Sequence, residues 1–355
     1  MDISKIDKNF KIETELALSD VRFYNVLEAP LTLFGVFFEN GKLRRMPEAV
    51  AKSVNDGVLE LHTNTAGGRV RFVTDSPYVA IVAKMPLMRR SSNLSFDGAA
   101  GFDLYEKVDG EYAYRHTFQP PIDSVDGFES LYRANAEGTH VYELNLPLYS
   151  EVSALYIGIR EDASLSAGEA YFNGMPVVYL GSSITQGGCA SRPGMSYQAI
   201  LSRKFNLHYI NLGFSGSCLG EDTMIDYVAS LPMSVFVYDY DHNAPTLAHL
   251  QKTHEAGFLR FRKKHPDVPV IMMTAPYWNV NAEWQARRDL IRENYERAVA
   301  RGDRNVYLLS AHELLSLCGN EGTVDGTHPT DYGFVSMAHA LEPIFKKLIA
   351  DNKVT

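Results

Sequence analysis

Ser183, Asp325 and His328 are the side chains whose types and spacing could do chemistry together. A serine hydroxyl attacks a carbonyl only when a base takes its proton, and histidine serves as that base when a carboxylate orients its ring. Ser183 stands in the turn Gly181-Ser182-Ser183, at the end of the apolar run Val177-Val178-Tyr179-Leu180. Asp325-Gly326-Thr327-His328 supplies acid and base from one short loop far downstream. The chemistry this set would perform is acyl transfer at an ester.

Two further segments add what such a reaction needs, donors for a developing oxyanion. Asn211-Leu212-Gly213-Phe214-Ser215-Gly216 and Tyr240-Asp241-His242-Asn243 each end an apolar run. In an open parallel sheet the loops leaving the carboxyl ends of the strands converge on one crevice. The Gly216 amide, the Asn243 side chain and the Ser183 amide would then face the same oxygen. Each feature has a plainer reading when taken alone. Gly and Ser favour turns and caps, Gly216 could permit a left-handed turn, and Asn243 could cap a helix beginning near Pro245. Their joint order is what argues for a site.

That order, Ser183, Gly216, Asn243 and His328, resembles the four blocks of the SGNH (GDSL-type) hydrolases, from about Met175 onward. The resemblance implies Asp325 as catalytic acid, three residues before the histidine, and a flavodoxin-like three-layer α/β/α fold. One departure is visible, since Ser182 stands where the family has the Asp of Gly-Asp-Ser-Leu. The α/β-hydrolase elbow is excluded because Thr185 occupies its second glycine. No His-Glu-x-x-His pair or cysteine spacing suits a metal, so neither a metal nor another cofactor is expected.

The elements that must position these residues change character near 165–175. Before it, short alternating stretches, including 58–63, 68–73, 78–83 and 154–159, read as strands of an all-β jelly roll or sandwich. Phe102 to Tyr114 reads as a hairpin turning at Asp109-Gly110. After it, strands near 176–180, 207–212, 234–239, 268–274 and 305–309 alternate with helical periods, clearest at Ala282 to Arg301 and Asp331 to Ala350. We therefore expect an α/β chain with a sandwich domain over 1–170 and a catalytic domain over 171–355. Gly101-Phe102-Asp103-Leu104-Tyr105 is similar to the Gly-x-Asp-Leu-Tyr signature of a β-sandwich module that precedes some SGNH hydrolases. The two-domain layout resembles carbohydrate acetylesterases of gut bacteria, especially the mannan-deacetylating type.

The substrate that resemblance implies is an acetylated oligosaccharide, with a lipid or aryl ester, or acyl transfer to an alcohol, as the alternative. Trp278, after the fourth strand, is a candidate for stacking on a sugar. Arg44, Arg45, His62, Asn64 and Arg69 are candidates for a sandwich wall of the cleft. Of the 355 residues 45% are hydrophobic and 22% charged, and the formal net charge is −9. These values fit a folded soluble enzyme and argue against nucleic acid as partner. No apolar run is long enough to span a bilayer. Met1 to Asp7 alternates charge and lacks an export signal, so a cytoplasmic location is expected. The three cysteines, Cys189, Cys218 and Cys318, are expected as free thiols. A homodimer through the sandwich is plausible on this layout.

Overall fold

A computed structural model describes residues 14–279 and 281–354. The charge-alternating segment Met1 to Asp7 lies outside the described residues.

Five apolar segments form a wholly parallel sheet in the order Tyr209–Gly213, Val177–Gly181, Val235–Asp239, Val270–Met273, Val306–Leu309. This is the flavodoxin-like order, with the first strand in chain order inside the sheet and the second at its edge. The strands are apolar throughout because both faces are covered. Val178 and Leu180 join Ile225, Leu250, Phe258 and Ile291 on one side. Val177 and Tyr179 join Tyr197, Phe334, Leu341 and Phe345 on the other. The long helices start where polar side chains cap them: Thr246 before Leu247–Lys264, Asn281 before Ala282–Ala300 and Thr330 before Asp331–Ala350. The helix after Pro245 is thus capped by Thr246 rather than Asn243.

The first half is a β-sandwich. One antiparallel sheet runs Val21–Asn25, Ala154–Arg160, Tyr78–Lys84, Gly127–Arg133, and the other runs Leu165–Ala167, Arg69–Thr74, His140–Asn145, Phe102–Val108, Glu111–Phe118. Val70, Phe72, Leu104 and Leu144 from the second sheet meet Val79, Ile81, Phe128 and Ile157 from the first in one core. The hairpin turns through Asp109 (φ 51°) and Gly110 (φ 88°), the two left-handed residues of a type I′ turn. Among the described residues no helix is long and apolar enough to cross a membrane.

One expected strand is corrected. Residues 58–63 do not form a strand; Asp56–Leu61 is a helix, capped by the Asn55 side chain, which accepts from the Val58 amide at 2.8 Å. Leu59 and Leu61 alternate with Glu60 and His62 as a strand would, but Val58 and Leu61 are three apart, one face of a helix. Burial decides between the two periods. This helix and Glu48–Val54 leave the sandwich, and Ala51, Val58 and Leu61 pack in the same core as Leu212, Phe214 and Met224 of the α/β half.

The two halves meet through buried charge. Phe102 and Leu104 of Gly-x-Asp-Leu-Tyr point into the sandwich core. Asp103 and Tyr105 point the other way: Asp103 accepts from the Gly194 amide at 2.8 Å, and Tyr105 lies under the Arg203 guanidinium at 3.8 Å. Burial pushes the Asp103 carboxyl up to about 6, against the pull of Arg203, the Gly194 amide and Arg192. Nearby, Arg71 Nε donates to Glu143 at 2.8 Å with both side chains shut off from water.

Candidate active site

Ser183 begins a one-turn helix, Ser183–Gln186, at the exit of the first parallel strand. Ser182 supplies its cap, accepting from the Ile184 amide at 3.1 Å. Gly181 is required for space. A Cβ there would lie 2.0 Å from Thr185 Oγ1 and 2.4 Å from the Asp239 carbonyl. The turn thus holds Ser183 tightly while leaving its hydroxyl free.

That hydroxyl lies 2.9 Å from His328 Nε2. His328 Nδ1 lies 2.8 Å from Asp325 Oδ2, and the other carboxylate oxygen accepts from the His328 amide at 2.8 Å and the Thr327 amide at 3.1 Å. The loop is closed at its base by the Val324 amide donating to the His328 carbonyl at 2.8 Å. Burial pushes the Asp325 carboxyl up, but the amide, the ring hydrogen bond and the imidazole charge of His328 more than offset this and hold it below the usual range. Asp325 is therefore ionised at neutral pH and fixes the ring with Nδ1 as donor and Nε2 toward the serine.

Gly216 has φ +67°. It is the third residue of the turn Phe214 to Ser217, closed by the Ser217 amide on the Phe214 carbonyl at 3.0 Å, where a type II turn needs a left-handed residue. Asn243 closes the short turn Asp241–Asn243 and donates through Nδ2 to the same Phe214 carbonyl at 2.9 Å. An amide nitrogen carries two protons, so one holds Asn243 beside the Gly216 turn and the other is left for a ligand. Arg287 fixes this segment from behind, donating to the Asp241 carbonyl at 3.2 Å and the Ala244 carbonyl at 3.0 Å. His242 stands edge-on to His328 at 5.9 Å between ring centroids. Burial, with His328 and Arg287 close by, pulls its imidazole down to about 4, so it is neutral beside the reacting groups.

Ser183 and His328 open into a cleft of about 390 Å³, lined also by Tyr149, Ser215 and Ser217. Its far wall comes from the first half of the chain: Gly57, Glu60, Arg89, Arg90, Ser91 and Asn93, with Leu61 and Leu94. Arg89 donates to Glu60 at 2.6 Å. Sequence reasoning missed this wall, because nothing local marks 89–93 as facing a serine almost a hundred residues on.

The sandwich residues expected in the wall lie elsewhere. Arg45 is buried, donating to the Gly213 and Leu61 carbonyls, and Arg69 is buried against the Tyr209 carbonyl and Tyr171. Arg44 meets His62, and Asn64 accepts from Gln186 at 3.1 Å. Long donors placed over carbonyls at strand ends act as ties between the halves, not as a binding surface.

Trp278 is likewise outside the cleft lining. It packs edge-on to His312 at 4.9 Å and beside Gly319. Tyr277 lies beside the loop that carries His328, its hydroxyl accepting from Thr327 Oγ1 at 3.1 Å, and Trp284 stacks on His242.

With this geometry in view, comparison with known proteins is decisive. The GDSL-like lipase/acylhydrolase family matches residues 174–346, and a family described as the N-terminus of SGNH-hydrolase-type esterases, with the Gly-x-Asp-Leu-Tyr signature, matches 21–165. A crystal structure described as a GDSL-like lipase from Bacteroides ovatus is 30% identical, covering 93% of this chain and 98% of its own, with a TM-score of 0.83. The chain belongs to the GDSL-like lipase/acylhydrolase family. A salicylyl-acyltransferase from a tetracycline biosynthetic pathway shares the fold at 19% identity, covering 93% of this chain and 98% of its own, with a TM-score of 0.75. A family two carbohydrate esterase from Clostridium thermocellum does so at 17%, covering 81% and 94%, with a TM-score of 0.58. No curated protein sequence matches the chain. This GDSL-family chain is thus an esterase-type hydrolase, and its Ser182 meets the helix with a hydroxyl cap where the family has a carboxylate.

Proposed function

We propose that the protein is a carbohydrate O-acetylesterase, working on oligosaccharides through an acyl-enzyme on Ser183. The reading is carried by the continuous line from Ser183 Oγ to His328 Nε2 (2.9 Å) and from His328 Nδ1 to Asp325 Oδ2 (2.8 Å) at the floor of an open cleft. His328 takes the serine proton as the hydroxyl attacks the ester carbonyl. The Ser183 and Gly216 amides and the Asn243 side chain receive the oxyanion. His328 then protonates the departing sugar hydroxyl, and water activated by the same ring releases acetate.

The cleft supports a sugar more than a lipid. Glu60, Arg89, Ser91, Asn93, Ser215 and Ser217 offer donors and acceptors suited to hydroxyl groups, and the apolar members, Leu61 and Leu94, make no channel long enough for an acyl chain. Manno-oligosaccharides taken up into the cytoplasm are the substrates we put first. The test is acetate release and mass loss from acetylated manno- and xylo-oligosaccharides. Loss of acetyl groups one at a time supports the reading. Activity confined to a small aryl acetate, or transfer to an added alcohol in place of hydrolysis, would replace it by an aryl esterase or an acyltransferase.

A further inference from the structure

The Gly216 turn has no support of its own at its apex, since a Cβ on Gly216 would meet nothing within 4 Å. Its direction is therefore set by what holds the flanking peptides. On the entering side, the Ser215 amide donates to Gln186 Oε1 at 3.1 Å. On the leaving side, the Ser217 carbonyl accepts from Asn55 Nδ2 at 2.9 Å. Asn55 belongs to the first half of the chain, 162 residues away, in the helical excursion that leaves the sandwich.

Asn55 is fully committed to this joint. Its Oδ1 caps the helix Asp56–Leu61 at the Val58 amide, and Nδ2 also donates to Glu221 Oε1, whose other oxygen accepts from the Leu219 amide at 3.0 Å. Two residues on, Gly57 touches the same loop. A Cβ at Gly57 would lie 2.2 Å from Ser217 Oγ. The contact is thus a close one, and a side chain at position 57 would have to displace Ser217.

We propose that Asn55 is a positioning residue for the oxyanion donors: by holding the Ser217 carbonyl it aims the Gly216 amide at the oxygen that forms on the substrate. This rests on the serine mechanism proposed above but not on the identity of the sugar. The first half of the chain then contributes to the rate of the chemical step as well as to the cleft wall. Donors acting on a transition state lose effect steeply when displaced, and an error of about 1 Å can cost on the order of a hundredfold.

The test uses the full chain with 4-nitrophenyl acetate, a substrate too small to reach the far wall. Asn55→Ser keeps a capping hydroxyl for the helix and removes the donor to Ser217. We expect kcat to fall about tenfold to a hundredfold with KM changed less than about twofold. The inhibition constant of phenylboronic acid, which forms a tetrahedral adduct on serine, should rise by the same factor as kcat/KM falls. Asn55→Asp, which also keeps the cap, is read in the same way should Asn55→Ser fail to fold. Unchanged kcat in the folded variant, or a loss confined to KM or to thermal stability, would overturn the proposal. Ser183→Ala is assayed beside them: if it keeps turnover, the serine mechanism itself fails, and that is distinct from an inactive Ser183→Ala with a fully active Asn55→Ser.

Discussion

The floor of the cleft and the joint between the halves are both built from polar groups, yet they are built differently. At the floor, Ser182, Ser183, Gly216 and Asn243 work through short side chains or backbone, each at the end of a strand or in the turn that follows it. At the joint, Arg45, Arg69 and Arg71 reach across from the sandwich to the Gly213 and Tyr209 carbonyls and the Asn206 side chain, far along the chain. Short groups beside regular elements leave a pattern of spacing in the sequence. Long side chains bridging distant segments leave none.

This contrast accounts for what could be read beforehand. The strand order, the hairpin at Asp109-Gly110 and the meeting of Ser183, Asp325 and His328 follow from local apolar periods and from the rule that loops converge at the carboxyl edge of a parallel sheet. The helix Asp56–Leu61 was hidden because its apolar spacing suits two periods, and only its burial against Leu212 and Phe214 decides. Arg45 and Arg69 are candidates for the cleft wall on sequence, yet both lie buried as ties between the halves, since a charge in the sequence does not say which surface it will meet. Tyr277 and Trp278 differ by one position, and a strand exit does not fix which of two neighbours meets Thr327 and which packs on His312.

If the buried ion pair beside the joint and the catalytic floor are independent in role, substitutions at these two places should divide cleanly between rate and stability. The largest effect expected is from His328→Ala, a loss of kcat on the order of 10⁶-fold with the thermal midpoint nearly unchanged, checked by ester turnover and calorimetry. Glu143→Ala should do the reverse. It strands a buried guanidinium and should cost roughly 3–5 kcal/mol of stability, read by urea denaturation, while turnover per folded molecule is retained. Burial pushes the Glu143 carboxyl up, but Arg71, Arg69 and Arg203 outweigh it and hold it below the usual value. Its contribution is accordingly full above the ordinary carboxylate range and is lost as the pH falls through the lowered value. The wild type should lose stability in acid more steeply than Glu143→Ala.

A smaller effect, and a sharper one, is expected at Asn243. Its replacement by alanine should lower kcat about 10²- to 10³-fold and leave KM for a small ester close to normal. Ser182→Ala removes only a cap and should cost about 0.5–2 kcal/mol in unfolding experiments, whereas Ser182→Asp, which restores a capping oxygen, should recover most of it. A Ser182→Ala loss confined to kcat would mean that the turn acts on the nucleophile directly and would blur the division.

The most direct measurement of the central claim is to catch the acyl-enzyme. The protein is mixed with 4-nitrophenyl acetate, quenched in acid within the first turnover and digested, and the peptide carrying Ser183 is examined by mass spectrometry. The account predicts one acetyl group on Ser183, absent in Ser183→Ala, with turnover lost in that variant. An acetyl group on any other residue, or a Ser183→Ala enzyme that still turns over, would contradict it.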